Sequence, residues 1–292
     1  MKISLFLMTK KGYDVLLSII NFGLSNIIDK IIISKDINVD NDYYIDIQSL
    51  AKKHNIPCYD RKDNYVITSS YCFAISWRWL ISLSKNTRLI VFHDSLLPKY
   101  RGFAPLVNML INKEPEIGVT AIFADAEFDA GDIIAQKRIN INYPIKISDA
   151  INIITPLYSE LICDLLKKIQ NDEKLIGTKQ DENNATYSLW RDEEDYRIDW
   201  SKDSESIQRH IDSVGFPYKR ASTLVNDKLY RIGDVEIIPD VFVENRNIGK
   251  ILFVRDGCPI VVCGKGLLKI KELTDENGNS VLPLKKFRIR FQ

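Results

Sequence analysis

Residues 88–102 read RLIVFHDSLLPKYRG, the stretch around which the rest of the chain is organised. Its first half is an apolar, β-rich run that stops at His93, and its second half contains a proline and a glycine. Such a run, bounded by polar and turn-forming residues, is typical of a buried strand that ends in a loop. In open α/β sheets, ligands bind at the carboxyl ends of the strands. His93 therefore stands where a catalytic group is expected, and imidazole is the side chain that titrates nearest neutral pH.

A histidine at a strand end is also often a packing or capping residue, and position alone does not decide between the two roles. A second stretch, residues 118–136, favours catalysis. It reads GVTAIFADAEFDAGDIIAQ, which is a strand pattern followed by an acidic segment and another apolar run. Asp129 of this acidic segment is expected to fold back on His93, to orient the imidazole and to favour its protonated form.

Strand and helix patterns alternate along the first part of the chain, which predicts an α/β domain with a doubly wound, mostly parallel sheet. A polar run without apolar periodicity follows at residues 170–186, and we interpret it as a linker or surface excursion. Beyond it, short apolar runs are separated by Gly, Asn and Asp, which predicts a small β barrel or sandwich. We therefore expect two domains, at residues 1–186 and 187–292.

Composition limits the classes of partner. A hydrophobic content of 45% and a charged content of 27% are those of an ordinary globular protein. A formal net charge of +1 disfavours a nucleic-acid partner, although a local basic surface stays possible in principle. The five cysteines are scattered without metal-ligand spacing, which favours reduced thiols in a cytoplasmic protein and predicts no metal site. No apolar run is long enough to span a bilayer, so no membrane partner is expected.

The string His-x-Ser-Leu-Leu-Pro-Lys-Tyr-Arg-Gly, followed by Gly-Val-Thr and then Asp-x-Gly-Asp-Ile, resembles the folate-dependent formyltransferase family. That family includes methionyl-tRNA formyltransferase, glycinamide ribonucleotide transformylase and the sugar-nucleotide N-formyltransferases. The motifs are sharp in residues 72–136 and diffuse after residue 190. The resemblance implies a Rossmann-like catalytic domain followed by a small OB-like β-barrel domain.

The resemblance also implies chemistry: transfer of a formyl group from 10-formyltetrahydrofolate to an amine. His93 would polarise the formyl carbonyl and shuttle a proton, with Asp129 assisting it. The residues expected to line the folate are Trp79, Leu80, Ile81, Phe103, Asp125, Ala126, Glu127 and Phe128. The residues expected to contact the acceptor substrate are Asp94, Ser95, Lys99 and Arg101. Read without the resemblance, Trp79 and its neighbour Trp77 are each better explained by ordinary core packing than by a ligand contact.

One position departs from the family pattern. The family has an asparagine two residues before the histidine, whereas this sequence has Val91, and losing such an oxyanion donor typically costs roughly two to three orders of magnitude in rate. The preferred acceptor is a nucleotide-linked amino sugar, for example a UDP-4-amino-4,6-dideoxy sugar of a surface-glycan or pseudaminic-acid-type pathway. Methionyl-tRNA formylation and a non-catalytic folate- or nucleotide-binding relic are the alternatives, and a homodimer is left open.

Overall fold

The computed structural model describes residues 1–292, and the chain divides into two compact units. The first unit contains residues 1–106, 115–141 and 150–190, and the second contains residues 107–114, 142–149 and 191–292. The two units interleave along the chain. The linear domain boundary between residues 186 and 187 therefore stays a prediction.

The first unit is built on a seven-stranded sheet in the order β3-β2-β1-β4-β5-β7-β8. The first five strands in this order, β3, β2, β1, β4 and β5, run parallel to one another. β7 pairs antiparallel with both β5 and β8. This confirms the predicted mostly parallel α/β sheet. The strands of the unit, including a separate parallel pair of β6 with β9, are β1 (Ile3–Leu7), β2 (Ile28–Ile33), β3 (Cys58–Asp60), β4 (Tyr71–Ile75), β5 (Arg88–His93), β6 (Arg101–Gly102), β7 (Glu116–Phe123), β8 (Ile133–Asn140) and β9 (Tyr187–Ser188).

Burial explains why the central strands read as continuous apolar runs. Every residue of β1 and β4 is buried, as is typical of parallel strands covered on both faces. The strand order reverses between β1 and β4, and such a switch point is where open α/β sheets bind ligands. The carboxyl ends of β1, β4 and β5 therefore form the part of the sheet that matters for function.

Five α-helices complete the chain, and none of them combines the length and the apolar character needed to cross a bilayer. The fifth begins where the Asp203 side chain accepts a hydrogen bond from the Ser206 backbone N–H, a regular N-cap. The helices are α1 (Thr9–Asn21), α2 (Tyr44–Lys53), α3 (Pro105–Ile111), α4 (Ile147–Gln170) and α5 (Ser204–Ser213).

The second unit contains a five-stranded antiparallel sheet in the order β10-β11-β14-β13-β12, which confirms the predicted small β domain. Residues 290–292 link its two edges. Leu224 in β10 exchanges backbone hydrogen bonds of 2.7 and 2.9 Å with Gln292, and the Phe291 N–H donates to the Gly249 carbonyl at 2.8 Å, just before β12. The strands are β10 (Ala221–Val225), β11 (Lys228–Ile238), β12 (Ile251–Arg255), β13 (Cys258–Val262) and β14 (Leu267–Thr274).

Candidate active site

His93 is the last residue of β5 and is only 7% exposed. Its Nε2 lies 2.7 Å from the backbone carbonyl oxygen of Tyr100. Because a carbonyl oxygen only accepts hydrogen bonds, Nε2 carries a hydrogen and donates it. Nδ1 is therefore the nitrogen that can gain or lose a proton, and the loop after the strand fixes which way it faces.

Asp129, on the loop between β7 and β8, lies against that nitrogen. Its Oδ2 is 3.5 Å from His93 Nδ1 and accepts a 2.8 Å hydrogen bond from the Gly102 N–H. The Asp129 backbone has φ 56°, a left-handed conformation that aspartate tolerates better than most residues. The structure thus brings together the two side chains that the sequence expects to meet, while their catalytic roles remain a prediction.

A network that the sequence did not reveal holds the Asp129 loop in place. The Gln180 side-chain amide donates to the carbonyl oxygens of Asp129 and Gly131, each at 2.7 Å. Its Oε1 accepts from the guanidinium of Arg101, which also forms a 2.7 Å ion pair with Glu182. Arg101 is 1% exposed. The Arg101 guanidinium is thus bonded within the protein, and its expected contact with substrate stays a prediction.

Asp94 and Ser95 also have partners within the protein, and their expected substrate contacts stay predictions. The Asp94 carboxylate accepts from the buried ammonium of Lys11 and from the hydroxyl of Tyr158. Burial by itself would raise the pKa of Asp94, but the charge and hydrogen bond of Lys11 and the Tyr158 hydroxyl together lower it. Ser95 is fully buried and donates to the Lys99 carbonyl at 2.6 Å. Both side chains shape the loop after His93. The Lys99 side chain is exposed, and its contact with substrate is likewise a prediction.

The residues predicted to line the folate are mostly solvent-exposed. Leu80, Phe103 and Phe128 are large apolar side chains on the surface, which suits them to cover a flat ring system. Trp79 is half-buried and stacks on the Arg61 guanidinium, 4.4 Å from the ring centre. Asp125, Ala126 and Glu127 are exposed on the same loop as Asp129, and Ile81 packs on the cluster around Phe6.

Val91 lies on the same face of β5 as His93, because alternate residues of a strand share a face. It pairs in register with Ala74 of β4 and packs on an apolar cluster that includes Phe6. The Val91 side chain therefore offers no hydrogen-bond donor. On the same face, the Nε1–H of Trp77 is buried and has no hydrogen-bond partner. An acceptor on a bound ring would satisfy this N–H, so the residues present fit a folate-type donor.

Two cavities, of about 110 and 240 Å³, lie within the second unit and share Asp212 in their walls. Burial raises the pKa of Asp212 to about 6; Lys146 lowers it, and Asp234 and Asp149 raise it further. No predicted site residue lines either cavity. The candidate active site is therefore defined by the His93–Asp129 contact and not by the size of a cavity.

Comparison with known families matches both parts of the chain. The formyl transferase family model matches residues 59–152, and the model of the formyl transferase C-terminal domain matches residues 191–288. A methionyl-tRNA formyltransferase from Citrifermentans bemidjiense is 34% identical over 196 residues, which are 67% of this chain and 59% of that protein. The match thus spans about three fifths of the length of such curated relatives.

Two solved structures have the same fold over nearly their whole length. The N-formyltransferase from Helicobacter canadensis, in complex with folinic acid and dTDP-3-aminofucose, has a TM-score of 0.68 at 18% identity and covers 92% of this chain and 98% of its own. The sugar 3N-formyl transferase WlaRD, solved with dTDP and 5-N-formyl-THF, has a TM-score of 0.67 at 21% identity, with coverage of 95% and 98%. At these identities the likeness shows the fold.

Proposed function

Because this chain belongs to the formyl transferase family, we propose that it transfers a formyl group from 10-formyltetrahydrofolate to the amine of a nucleotide-linked amino sugar. The observation that carries the proposal is the contact between His93 Nδ1 and Asp129 Oδ2 at 3.5 Å, at the carboxyl end of β5. When bound, 10-formyltetrahydrofolate supplies an activated formyl group on nitrogen. The protein has to place an amine beside it and to manage the amine's proton.

His93 and Asp129 can store that proton. The hydrogen bond from Nε2 to the Tyr100 carbonyl leaves Nδ1 as the site that takes up a proton. Protonation at Nδ1 places a positive charge beside the Asp129 carboxylate and would turn the 3.5 Å contact into an ionic hydrogen bond. The Gly102 N–H donates to the same carboxylate oxygen, Oδ2, and holds it in place. Proton transfer by such a positioned pair typically contributes about 10²- to 10⁴-fold to a rate.

Three observations support a nucleotide sugar as the acceptor. The sugar N-formyltransferase structures align with 95% and 92% of this chain at TM-scores of 0.67 and 0.68, whereas a methionyl-tRNA formyltransferase structure from Clostridium thermocellum aligns with 81% of it at a TM-score of 0.55. The net charge of +1 offers no electrostatic footprint for tRNA. Tyr187, Leu189 and Trp190 are exposed on or next to β9, whose partner strand carries Gly102, and exposed aromatic faces suit a nucleobase.

Methionyl-tRNA formylation is the second candidate, because two relatives that are 34% identical to this chain in sequence are methionyl-tRNA formyltransferases. Binding through phosphate contacts weakens steeply with salt. A strong salt dependence of binding to methionyl-tRNA would favour this candidate over a nucleotide sugar.

The test is a panel of amine acceptors incubated with 10-formyltetrahydrofolate, with release of tetrahydrofolate as the signal. The panel contains dTDP-linked and UDP-linked 3-amino and 4-amino sugars and methionyl-tRNA. We expect release with one class of nucleotide sugar, loss of release in His93→Ala, and unchanged release in the matched control His54→Ala, an exposed residue at the end of α2. A folded protein that releases nothing with any acceptor would contradict the proposed activity.

A further inference from the structure

Trp77 is a side chain whose hydrogen-bonding group has no use within the protein. Its Nε1–H is buried from solvent and meets no acceptor. A buried donor without a partner carries the full cost of its lost hydration. Of the other tryptophans, Trp200 donates to Thr223 Oγ1 at 3.0 Å, and Trp190 is exposed to water. A hydrogen-bond acceptor on a bound ligand would give the Trp77 N–H the partner that the protein does not provide.

The place of Trp77 in the fold says which part of a ligand it can reach. It comes two residues after the end of β4, and its ring packs edge-on against Phe6 of β1, with 5.1 Å between the ring centres. β1 and β4 flank the switch point of the sheet. A second edge-on contact, 5.3 Å between ring centres, joins Trp77 to Trp79, which begins the segment predicted to line the folate ring.

His93 lies on β5, which is the second strand from β1 in the sheet, with β4 between them. Neighbouring strands are about 4.8 Å apart, so β1 and β5 are separated by about 9 to 10 Å. An indole that packs on Phe6 is therefore expected to meet the ring of the formyl donor, and His93 its formyl group.

We propose that the Trp77 indole N–H donates a hydrogen bond to an acceptor atom, a carbonyl oxygen or a ring nitrogen, on the bicyclic ring of the folate-type formyl donor. The inference rests on the proposed function and adds a side-chain donor to the residues expected to line the folate. The segment after Trp77 is irregular, and Leu80 within it lies on the surface. Trp77 is thus a ring-binding residue and not an oxyanion donor.

The direct test uses the protein labelled with ¹⁵N at its four tryptophans and titrated with folinic acid. Trp77→Phe assigns the Trp77 indole resonance, and the Trp200 resonance serves as an internal reference because its N–H already has a partner. We expect the Trp77 N–H resonance to move downfield in proportion to occupancy while that of Trp200 stays in place. A Trp77 resonance that does not move at saturating folinic acid overturns the inference and leaves the proposed activity intact.

Two variants give a matched comparison. Trp77→Phe should weaken folinic acid binding about two- to tenfold, the range for one neutral hydrogen bond. Its melting temperature should fall less than that of Trp200→Phe, because Trp77 loses packing alone whereas Trp200 also loses a hydrogen bond. Trp200→Phe should lower the melting temperature and leave the affinity unchanged. In turnover, Trp77→Phe should raise KM for the formyl donor with little change in kcat. A large fall in kcat with unchanged affinity would contradict the ring contact, and no binding of folinic acid by the unmodified protein would reject both the inference and the proposed donor.

Discussion

Asp212 is a buried carboxylate whose replacement by asparagine should stabilise the protein. It lies near the end of α5, is 7% exposed, and borders both cavities of the second unit. Its cationic neighbour Lys146 only partly offsets the burial, because the Lys146 ammonium forms a 2.8 Å ion pair with Asp234. The ionised form of Asp212 is therefore held in a place that disfavours its charge.

The magnitude follows from the shift in pKa. Burial raises the pKa of Asp212 from 3.8 to about 6, and each unit corresponds to about 1.36 kcal/mol. The folded state binds the proton more tightly than the unfolded state, so the stability from this group is fully present below pH 3.8 and is lost as the pH rises through 6. Above pH 6, Asp212 costs about 3 kcal/mol, and a neutral asparagine of the same shape removes most of that cost.

The assay is urea unfolding of the unmodified protein and of Asp212→Asn between pH 4.5 and 8, with the free energy of unfolding extrapolated to water. We expect the variant to be more stable by up to about 3 kcal/mol at pH 7.5, with an advantage that falls to about 1 kcal/mol at pH 4.5. Asp227→Asn, which removes the same charge from an exposed turn, serves as the control and should change little at any pH. A variant that is less stable at pH 7.5, or whose advantage does not depend on pH, would refute the reasoning.

Three further predictions concern the first unit. Asp129→Asn keeps a hydrogen-bond acceptor but removes the charge beside the imidazole, so formyl transfer should fall about 10²- to 10⁴-fold with the fold unchanged; activity equal to that of the unmodified protein would remove Asp129 from the mechanism. Gly131→Ala would place a methyl group 1.7 Å from a strand carbonyl oxygen, and its melting temperature should fall well below that of Gly23→Ala, which has φ +70° and no atom within 4 Å. Arg101→Lys keeps the charge, but an ammonium group cannot donate two parallel hydrogen bonds to the Glu182 carboxylate. Denaturant titration should therefore show that the free energy of unfolding falls by about 1 to 3 kcal/mol. Arg138→Lys, in an exposed pair 3.7 Å long, should change stability by less than about 0.5 kcal/mol, and equal losses in the two variants would argue against a special role for the buried arginine.

The sequence predicts well those features that depend on neighbouring residues. β1 and β4 follow from continuous apolar runs, because a strand covered on both faces leaves no place for polar residues. The position of His93 follows from the point where such a run stops. The approach of Asp129 to His93 could be expected as well, because the two motifs occupy neighbouring strands of one sheet.

Features that depend on distant partners could not be predicted. Arg101 lies in a loop rich in polar residues and looks available to a ligand, but Gln180 and Glu182, about eighty positions later, bury it. The polar run at residues 170–186 gave no sign of this role, since it lacks any apolar period. The ion pair of Asp94 could not be predicted either, because its partner Lys11 comes from the first helix.

The strip formed by residues 290–292 has a practical consequence for handling the protein. Within that strip, Gln292 forms backbone hydrogen bonds with Leu224 at one edge of the sheet, and Phe291 forms one with Gly249 near the other edge. A version cut before Arg290 would leave two open strand edges on one small sheet, and open edges recruit other chains into intermolecular β-pairing. Precipitation of such a shortened version would therefore indicate that the backbone hydrogen bonds of this strip keep the edges of the sheet covered. For the same reason, an affinity tag is better joined at Met1 than after Gln292.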